Sequence, residues 1–309
     1  MIVCVCNAIT EADVREAARS GASSPEAAYA ELGCEPHCGC CLTYAQQLID
    51  DPEVNALYIA TPPDTHEQYT QAALAAGKPV YVEKPMALNA ASAGSMQRAA
   101  EKYKQKLCVA HYRRQQPFFK KIKSFLDAGT LGQILYINLR FLQPFRRDMI
   151  GVDAWRIDPA ISGGGLFHDL APHQLDLMLY YFGAFQTAHG AAVNRGGYYE
   201  AADTVCGNIQ FENGVLFNGL WCFVAPESEA TDTCEMVGTK GKITFSVFGE
   251  QNIQLTVDGN TEEIRFEPPV HVQQPMIEKV VAYFKGEAEN PCSAAAGVQV
   301  MQLLDAFTM

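Results

Sequence analysis

The stretch that decides the fold is Asp51 to Met86, which reads DPEVNALYIATPPDTHEQYTQAALAAGKPVYVEKPM. The apolar run at 56–60 predicts a short strand, and a Thr-Pro-Pro turn follows it. A helix is predicted over 66–76 because a glycine closes it, and 79–82 is the next strand. Alternating strand and helix predicts a parallel sheet with right-handed crossovers.

Each predicted strand of this sheet ends in a polar or proline-containing segment. The segments are Thr61-Pro62-Pro63, Glu83-Lys84-Pro85 and, after a third predicted strand at 107–110, His111. The carboxyl ends of parallel strands meet at one edge of the sheet, and ligands bind there. We therefore expect these segments to gather around one site.

The C-terminal part has a different pattern. A helix is predicted over 165–182, then seven alternating runs between 187 and 266 predict strands, and helices over 275–284 and 294–307 close the chain. Successive strands without intervening helices imply an antiparallel sheet. The predicted fold class is α/β plus α+β, with domains at 1–50, 51–115 and 116–309.

Composition excludes several functions. The chain has 309 residues, 48% hydrophobic and 19% charged, which is typical of a soluble globular protein. Its net charge of −12 argues against nucleic-acid and anionic-membrane partners. The apolar runs are too short to span a bilayer, and the N-terminus lacks the basic segment of a secretory signal. These features predict a cytoplasmic protein.

Cysteines concentrate at the N-terminus, where six of the eleven lie in the first 41 residues. Cys4 and Cys6 form C-x-C, and Cys38 and Cys41 form C-x-x-C. About fifty residues bury too little apolar surface to be stable alone, so a metal is expected to hold the segment together. Four thiolates suit an iron–sulfur cluster or zinc, whereas disulfides are disfavoured in a reducing compartment.

Residues 1–50 resemble the bacterioferritin-associated ferredoxins through MIVCVCNAIT and CEPHCGCC. The resemblance implies a small helical module that holds a 2Fe–2S cluster through Cys4, Cys6, Cys38 and Cys41, and that exchanges electrons with a redox partner protein. Two further cysteines, Cys34 and Cys40, leave the ligand set open.

Residues 51–309 resemble the Gfo/Idh/MocA oxidoreductases. The motifs are IATPPDTH, AALAAGKPVYVEKPM, WRIDP and GGGLFHDLAPHQLD. The resemblance implies NAD or NADP as cofactor, a sugar or polyol-like substrate, and a homo-oligomer formed through an open antiparallel sheet. It also implies a cis Lys84–Pro85 bond. The implied cofactor-binding residues are Thr61, Pro62, Pro63, His66, Glu83, Lys84 and Pro85.

Oxidation of a secondary alcohol requires a base for the hydroxyl proton and a nicotinamide for the hydride. The resemblance implies that Lys84 polarises the carbonyl or shares the hydroxyl proton. Asp169 and His173 lie four residues apart and share a helix face. His173 is the predicted general acid/base, with an ordinary pKa, and Asp169 contacts substrate or orients the histidine. The alternatives are a surface lysine and a structural helix histidine. Asp176 is expected to pack or pair within its helix, and Trp155-Arg156 to be structural.

One expected motif is missing. No G-x-G-x-x-G occurs in the chain, although this motif forms the usual cradle for a cofactor pyrophosphate. We therefore predict that the first half of the Rossmann domain is absent and that nicotinamide binding is weak or absent. Two hypotheses follow: an oxidoreductase with an appended iron–sulfur module, or a truncated or recombined, non-catalytic chain whose intact activity is 2Fe–2S binding and electron transfer.

Overall fold

A computed structural model describes residues 2–4, 9–10, 49–146 and 154–308. At the N-terminus, strand β1 (Ile2–Cys4) pairs antiparallel with β2 (Ile9–Thr10). The predicted ligands Cys6, Cys38 and Cys41 lie outside the described residues, and only the strand backbone of Cys4 is described. The metal module and the domain boundary at residue 50 therefore stay predictions.

The predicted parallel sheet is confirmed. Its strands are β3 (Leu57–Ile59), β4 (Val80–Val82) and β5 (Leu107–Val109), in that order, and both neighbouring pairs are parallel. Helices α1 (His66–Ala75) and α2 (Ala90–Tyr103) form the two crossovers. Every residue of β4 and β5 is buried, which explains why these strands read as continuous apolar runs.

Strand β3 has a neighbour on one side only among the described residues. Tyr58, at its centre, is 38% exposed and stacks on Tyr81 of β4 with ring centroids 5.0 Å apart. The alternation of β3 between buried and exposed residues differs from the fully buried β4. A strand with one exposed side is what the sequence analysis predicts for β3 if the preceding strands of the Rossmann domain are absent.

The second sheet has eight strands in the order β13-β12-β11-β10-β6-β9-β8-β7. The bounds are β6 (Ile134–Leu142), β7 (Phe185–Val193), β8 (Thr204–Phe211), β9 (Leu216–Cys222), β10 (Thr231–Gly238), β11 (Gly241–Phe245), β12 (Asn252–Val257) and β13 (Asn260–Arg265). Six neighbouring pairs are antiparallel, but β6 and β9 are parallel. The predicted antiparallel sheet is confirmed for the consecutive strands β7 to β13, and β6, which helices separate from them in the chain, adds one parallel pair with β9.

Five more helices complete the described fold: α3 (Pro117–Asp127), α4 (Pro159–Ser162), α5 (Gly165–Phe182), α6 (Gln274–Lys285) and α7 (Ala294–Thr308). Helix α5 is buried on nearly all sides and is tied to β9 by a hydrogen bond from Trp221 Nε1 to Gln174 Oε1 of 2.6 Å. Helix α7 packs closely on β8, since a Cβ at Gly207 would lie 2.3 Å from the Phe307 ring. No helix in the described part is long and apolar enough to cross a bilayer.

One face of the eight-stranded sheet is open. Residues of β8 alternate between buried and exposed, as expected for a sheet with helices on one face. Tyr136 and Leu216 are paired across β6 and β9 and are 42% and 53% exposed. The open sheet that the family resemblance implies is therefore present.

Candidate active site

An ion pair connects the end of strand β4 with helix α5. Lys84 follows the end of β4, and its Nζ lies 2.5 Å from Asp169 Oδ1 and 2.9 Å from the Asp169 backbone oxygen. The two side chains are only 13% and 15% exposed. The alternative interpretation of Lys84 as a surface lysine is therefore wrong.

Glycines bring the start of α5 to this point. Gly163 has a φ of +88°, and a Cβ there would lie 2.8 Å from the Leu88 backbone oxygen. A left-handed backbone with so close a neighbour favours glycine. The glycine run therefore allows α5 to begin against the loop after Lys84, which places Asp169 within reach of the lysine.

Arg156 also reaches Asp169. Its Nε lies 3.3 Å from Asp169 Oδ2, and its guanidinium lies 4.4 Å from the ring centroid of Trp155. The sequence interpretation gave this residue a structural role, whereas the structure places it beside the predicted catalytic carboxylate. No sequence motif around Arg156 predicts this contact, because the tertiary fold brings the two residues together.

His173 is buried between two aromatic rings. Its ring centroid lies 5.2 Å from that of Tyr112 and 5.5 Å from that of Phe248, and its Nδ1 has no hydrogen-bond partner among the described residues. Burial, followed by the nearby charges of Lys84 and Arg113, lowers the pKa of His173 well below its usual value. The predicted ordinary pKa is therefore wrong, and at neutral pH the ring is uncharged and can accept a proton.

His66 connects the Thr61-Pro62-Pro63 turn with the Glu83-Lys84-Pro85 turn. Its Nδ1 lies 2.9 Å from the Pro85 oxygen and its Nε2 lies 2.7 Å from the Thr61 oxygen. Burial lowers the pKa of His66, so the neutral ring has one N–H and donates to one of these carbonyls. Pro62 is half-buried and Pro63 is buried. The Lys84–Pro85 bond is cis, as predicted.

Glu83 is bound by protein groups. It accepts hydrogen bonds from Tyr58 Oη, from Gln273 Nε2 at 2.7 Å and from the Lys84 amide at 3.1 Å. Gln273 immediately precedes α6, almost two hundred residues along the chain. Sequence reasoning missed Tyr58 and Gln273, since neither stands in a recognisable motif. Glu83 therefore holds the Glu-Lys-Pro turn in place.

Asp176 pairs outside its own helix. It accepts hydrogen bonds from Arg114 Nε at 2.9 and 2.8 Å and from Arg114 Nη2 at 2.6 Å. His111 Nδ1 lies 3.8 Å from Asp176 Oδ1, and burial lowers the pKa of His111. Asp176 is buried in α5, as one of the two predicted alternatives requires, but its charged partner lies outside the helix rather than within it. The buried pair instead fixes the segment after β5 against α5.

A cavity of 320 Å³ opens beside the ion pair. Polar groups on its wall come from Gln143, Arg146, Arg156 and Asp169, and Phe248 lies against it near His173. The cavity is within the usual size range for small-molecule sites. In the described ranges, no group of three or more His, Cys, Asp or Glu side chains is placed to hold a metal ion.

His168 faces away from this site and lines a different cavity with Asn89 and Asp305. Burial lowers its pKa to about 4. An unfolded histidine titrates near 6.5, so the unfolded chain binds this proton first as pH falls. We expect the free energy of unfolding to fall by about 2 kcal/mol from this residue between pH 7 and pH 5.

Urea unfolding at the two pH values measures this effect. The variant His168→Asn should lose most of that pH dependence, because asparagine does not titrate. His189→Asn makes the same substitution at an exposed histidine and serves as the matched comparison. Equal slopes for His168→Asn and the parent protein would contradict the assignment.

Comparisons with known proteins agree with this architecture. A sequence model described as "Oxidoreductase family, NAD-binding Rossmann fold" matches residues 4–111, and one described as "GFO/IDH/MocA C-terminal domain" matches residues 119–244. Oxidoreductase P35 of Formosa agariphila is 41% identical over 270 residues, which cover 86% of this chain and 82% of P35. The chain belongs to the Gfo/Idh/MocA family of oxidoreductases.

More distant relatives have named substrates. Levoglucosan dehydrogenase of Pseudarthrobacter phenanthrenivorans is 27% identical over 233 residues, covering 68% of this chain and 60% of that enzyme. A solved structure of levoglucosan dehydrogenase with NADH and levoglucosan superposes with a TM-score of 0.75 at 24% identity, covering 96% of this chain and 85% of that one. At this identity the likeness establishes the shared fold.

The Rossmann match begins at residue 4 and so includes the cysteine-rich stretch. It gives no support to the prediction that the first half of this domain is missing, nor to an appended ferredoxin-like module. The absence of G-x-G-x-x-G from the sequence nevertheless holds. A pyrophosphate would therefore need backbone N–H groups from a differently built turn.

Proposed function

We propose that this protein transfers a hydride between NAD or NADP and a sugar, polyol or related hydroxy or carbonyl compound. The observation that carries the proposal is the half-buried Lys84–Asp169 ion pair at the carboxyl edge of the parallel sheet, because its carboxylate lines the cavity. Relatives named as levoglucosan dehydrogenase and scyllo-inositol 2-dehydrogenase support this substrate class.

Lys84, Asp169 and His173 have different roles in the proposed hydride transfer. Lys84 Nζ would donate to the substrate oxygen and stabilise negative charge that develops there. Asp169 holds the ammonium in position, and the uncharged His173 accepts the proton that the hydroxyl loses on oxidation. A bound nicotinamide supplies the hydride acceptor. In the reverse direction the same histidine, once protonated, returns the proton to the substrate oxygen.

The described residues fit the nicotinamide half of the cofactor. The turns at Thr61 and Glu83-Lys84-Pro85 lie together at the sheet edge because His66 bridges their carbonyl groups. The Lys84 ammonium extends from that edge to Asp169, which lines the cavity. The cofactor-binding proposal rests on this arrangement, and the missing glycine motif leads us to expect weak binding of either cofactor.

Fluorescence titration with NADH and NADPH tests the cofactor proposal, and steady-state assays with sugars and polyols test turnover. Binding of one cofactor together with turnover supports the oxidoreductase. Failure of both cofactors to bind at millimolar concentration would instead favour the truncated or recombined, non-catalytic chain. Micromolar affinity would show that another turn replaces the glycine motif.

A second proposal concerns residues 1–50. We propose that Cys4, Cys6, Cys38 and Cys41 hold a 2Fe–2S cluster, on the strength of the C-x-C and C-x-x-C spacing, and that a redox protein in the cytoplasm exchanges electrons with it. Anaerobically purified protein should then show visible charge-transfer bands that bleach on reduction. A colourless protein with one zinc ion per chain would replace this proposal with a structural zinc site.

We also propose a homo-oligomer formed through the open face of the eight-stranded sheet. Replacing Leu216 by Glu should shift the protein towards monomer in light scattering after size-exclusion chromatography, because a charge would be buried at the interface. Val270→Glu is the matched control, since Val270 is 93% exposed and lies outside that sheet. An unchanged mass for Leu216→Glu would place the interface elsewhere.

A further inference from the structure

The loop between β11 and β12 reaches the candidate active site. It covers residues 246–251, and its Phe248 ring lies against the His173 ring, with centroids 5.5 Å apart and planes at 82°. Phe248 also lines the cavity beside Asp169. One side chain of this loop therefore lies both on the wall of the cavity and against the histidine to which the proton is assigned.

A carboxylate of the neighbouring strand holds the backbone of this loop. Asp232 of β10 accepts hydrogen bonds from three successive amides, those of Val247 at 3.2 Å, Phe248 at 2.6 Å and Gly249 at 2.9 Å. The Ser246 hydroxyl donates to the backbone oxygen of Asp232 at 2.7 Å. Hydrogen bonds to an ionised carboxylate are stronger than those between neutral groups. These bonds therefore fix the backbone on both sides of Phe248.

Arg113 holds the same loop from the side of the parallel sheet. Its Nη1 donates to the Val247 backbone oxygen at 2.6 Å, and its guanidinium lies 4.6 Å from the centroid of the Phe248 ring. A guanidinium over an aromatic face is an attractive contact. Arg113 belongs to the segment that follows β5, so this contact connects the loop with the parallel sheet. The backbone of the loop is thus held by Asp232 and the ring of Phe248 by Arg113.

The state of His173 depends on this cover. Tyr112 and Phe248 both pack on its ring, and burial is the largest cause of its lowered pKa. The charged and titratable groups around it are Lys84 after β4, His111, Tyr112 and Arg113 after β5, and Asp169 and Asp176 on its own helix α5. Positive charge on the lysine, the arginine or the second histidine lowers the pKa of His173 further. Phe248 is therefore the part of the cover that the loop controls.

We infer that the β11–β12 loop positions the general base: Asp232 and Arg113 hold Phe248 on the His173 ring, and Phe248 keeps water from that ring. The inference rests on the proposed function, because the role of His173 as the base is part of that proposal. Phe248 and Asp232 act through the histidine and are positioning residues. A base that is kept dry and uncharged is ready to accept the hydroxyl proton at neutral pH.

An NMR titration of the histidine rings in the full chain, without added cofactor, tests this inference directly. The His173 signal is assigned by its loss in His173→Gln. In Phe248→Ala the pKa of His173 should rise by at least about one pH unit, because water replaces the apolar cover. Phe248→Leu keeps an apolar side chain there and should stay close to the parent. Phe266→Ala is the control, since Phe266 packs 5.7 Å from Phe118 and should leave His173 unchanged.

Asp232→Ala separates the loop from simple electrostatics. Removing a negative charge would by itself lower the pKa of a nearby histidine, because the protonated ring loses an attraction. Release of the loop has the opposite effect, since it uncovers the His173 ring. We therefore expect the pKa of His173 to rise in Asp232→Ala as it does in Phe248→Ala. An unchanged or lower pKa would overturn the role assigned to Asp232.

Turnover gives a second measurement. The acid limb of kcat for oxidation should move to higher pH in Phe248→Ala, so that activity is lost near pH 6 while kcat near pH 9 stays within about threefold of the parent. An equal loss at all pH values would indicate a merely structural role and overturn the inference. So would an unchanged pKa of His173 in Phe248→Ala with the fold intact by circular dichroism. A raised pKa in a protein that turns over neither NAD nor NADP would support the loop and count against the hydride transfer.

Discussion

Replacing Lys84 by Met is expected to lower kcat by about a thousandfold or more, because the ammonium is the group placed to stabilise charge on the substrate oxygen. Methionine keeps the length and the apolar stem of lysine. The affinity for NADH or NADPH should stay within about threefold, since the cofactor is proposed to bind mainly through the turns rather than through Nζ. Steady-state kinetics and fluorescence titration measure the two effects separately.

The control is Lys102→Met, which removes an exposed lysine on α2 and should leave both quantities unchanged. Retention of more than a tenth of kcat in Lys84→Met would contradict the assigned role. A loss of cofactor affinity with unchanged kcat at saturation would mean that Lys84 binds the cofactor and takes no part in the proton chemistry.

Replacing Asp176 by Ala is expected to reduce the free energy of unfolding by about 3–5 kcal/mol. The change leaves the Arg114 guanidinium buried without its carboxylate, and it removes the three contacts of 2.6 to 2.9 Å that join the segment after β5 to α5. Urea unfolding followed by fluorescence measures the loss.

Two further variants make this prediction specific. The double variant Arg114→Met with Asp176→Leu removes both charges and should recover most of the lost stability, because no unpaired buried charge remains. Glu235→Ala breaks an exposed pair in which Lys242 Nζ lies 2.7 Å from Glu235 Oε2, and it should cost less than about 1 kcal/mol. Equal costs for the buried and exposed carboxylates would contradict the assigned energetics.

Local patterns determined much of the architecture. The helix predicted over 165–182 has the observed bounds of α5. Two of the seven alternating runs predicted as strands, those over 204–211 and 252–257, match β8 and β12. The parallel sheet followed from apolar runs that alternate with helices. These features depend on side chains within one turn or one strand, so the sequence alone carries the information for them.

The family motifs also determined the principal site residues. The Glu-Lys-Pro turn and the Asp169–His173 spacing predict Lys84, Asp169 and His173 from the sequence alone. The structure brings Lys84 and Asp169 into contact and places the charge of Lys84 near His173. The catalytic role of Lys84 is a proposal that the Lys84→Met variant tests.

Only the tertiary structure decided which distant residues complete the site. Arg156 reaches Asp169, Gln273 reaches Glu83, and Arg114 reaches Asp176 from other elements of the fold. The parallel pairing of β6 with β9 and the lowered pKa of His173 are also consequences of the tertiary structure. Burial and through-space charge depend on how elements pack, and a pattern of neighbours along the chain does not contain that packing.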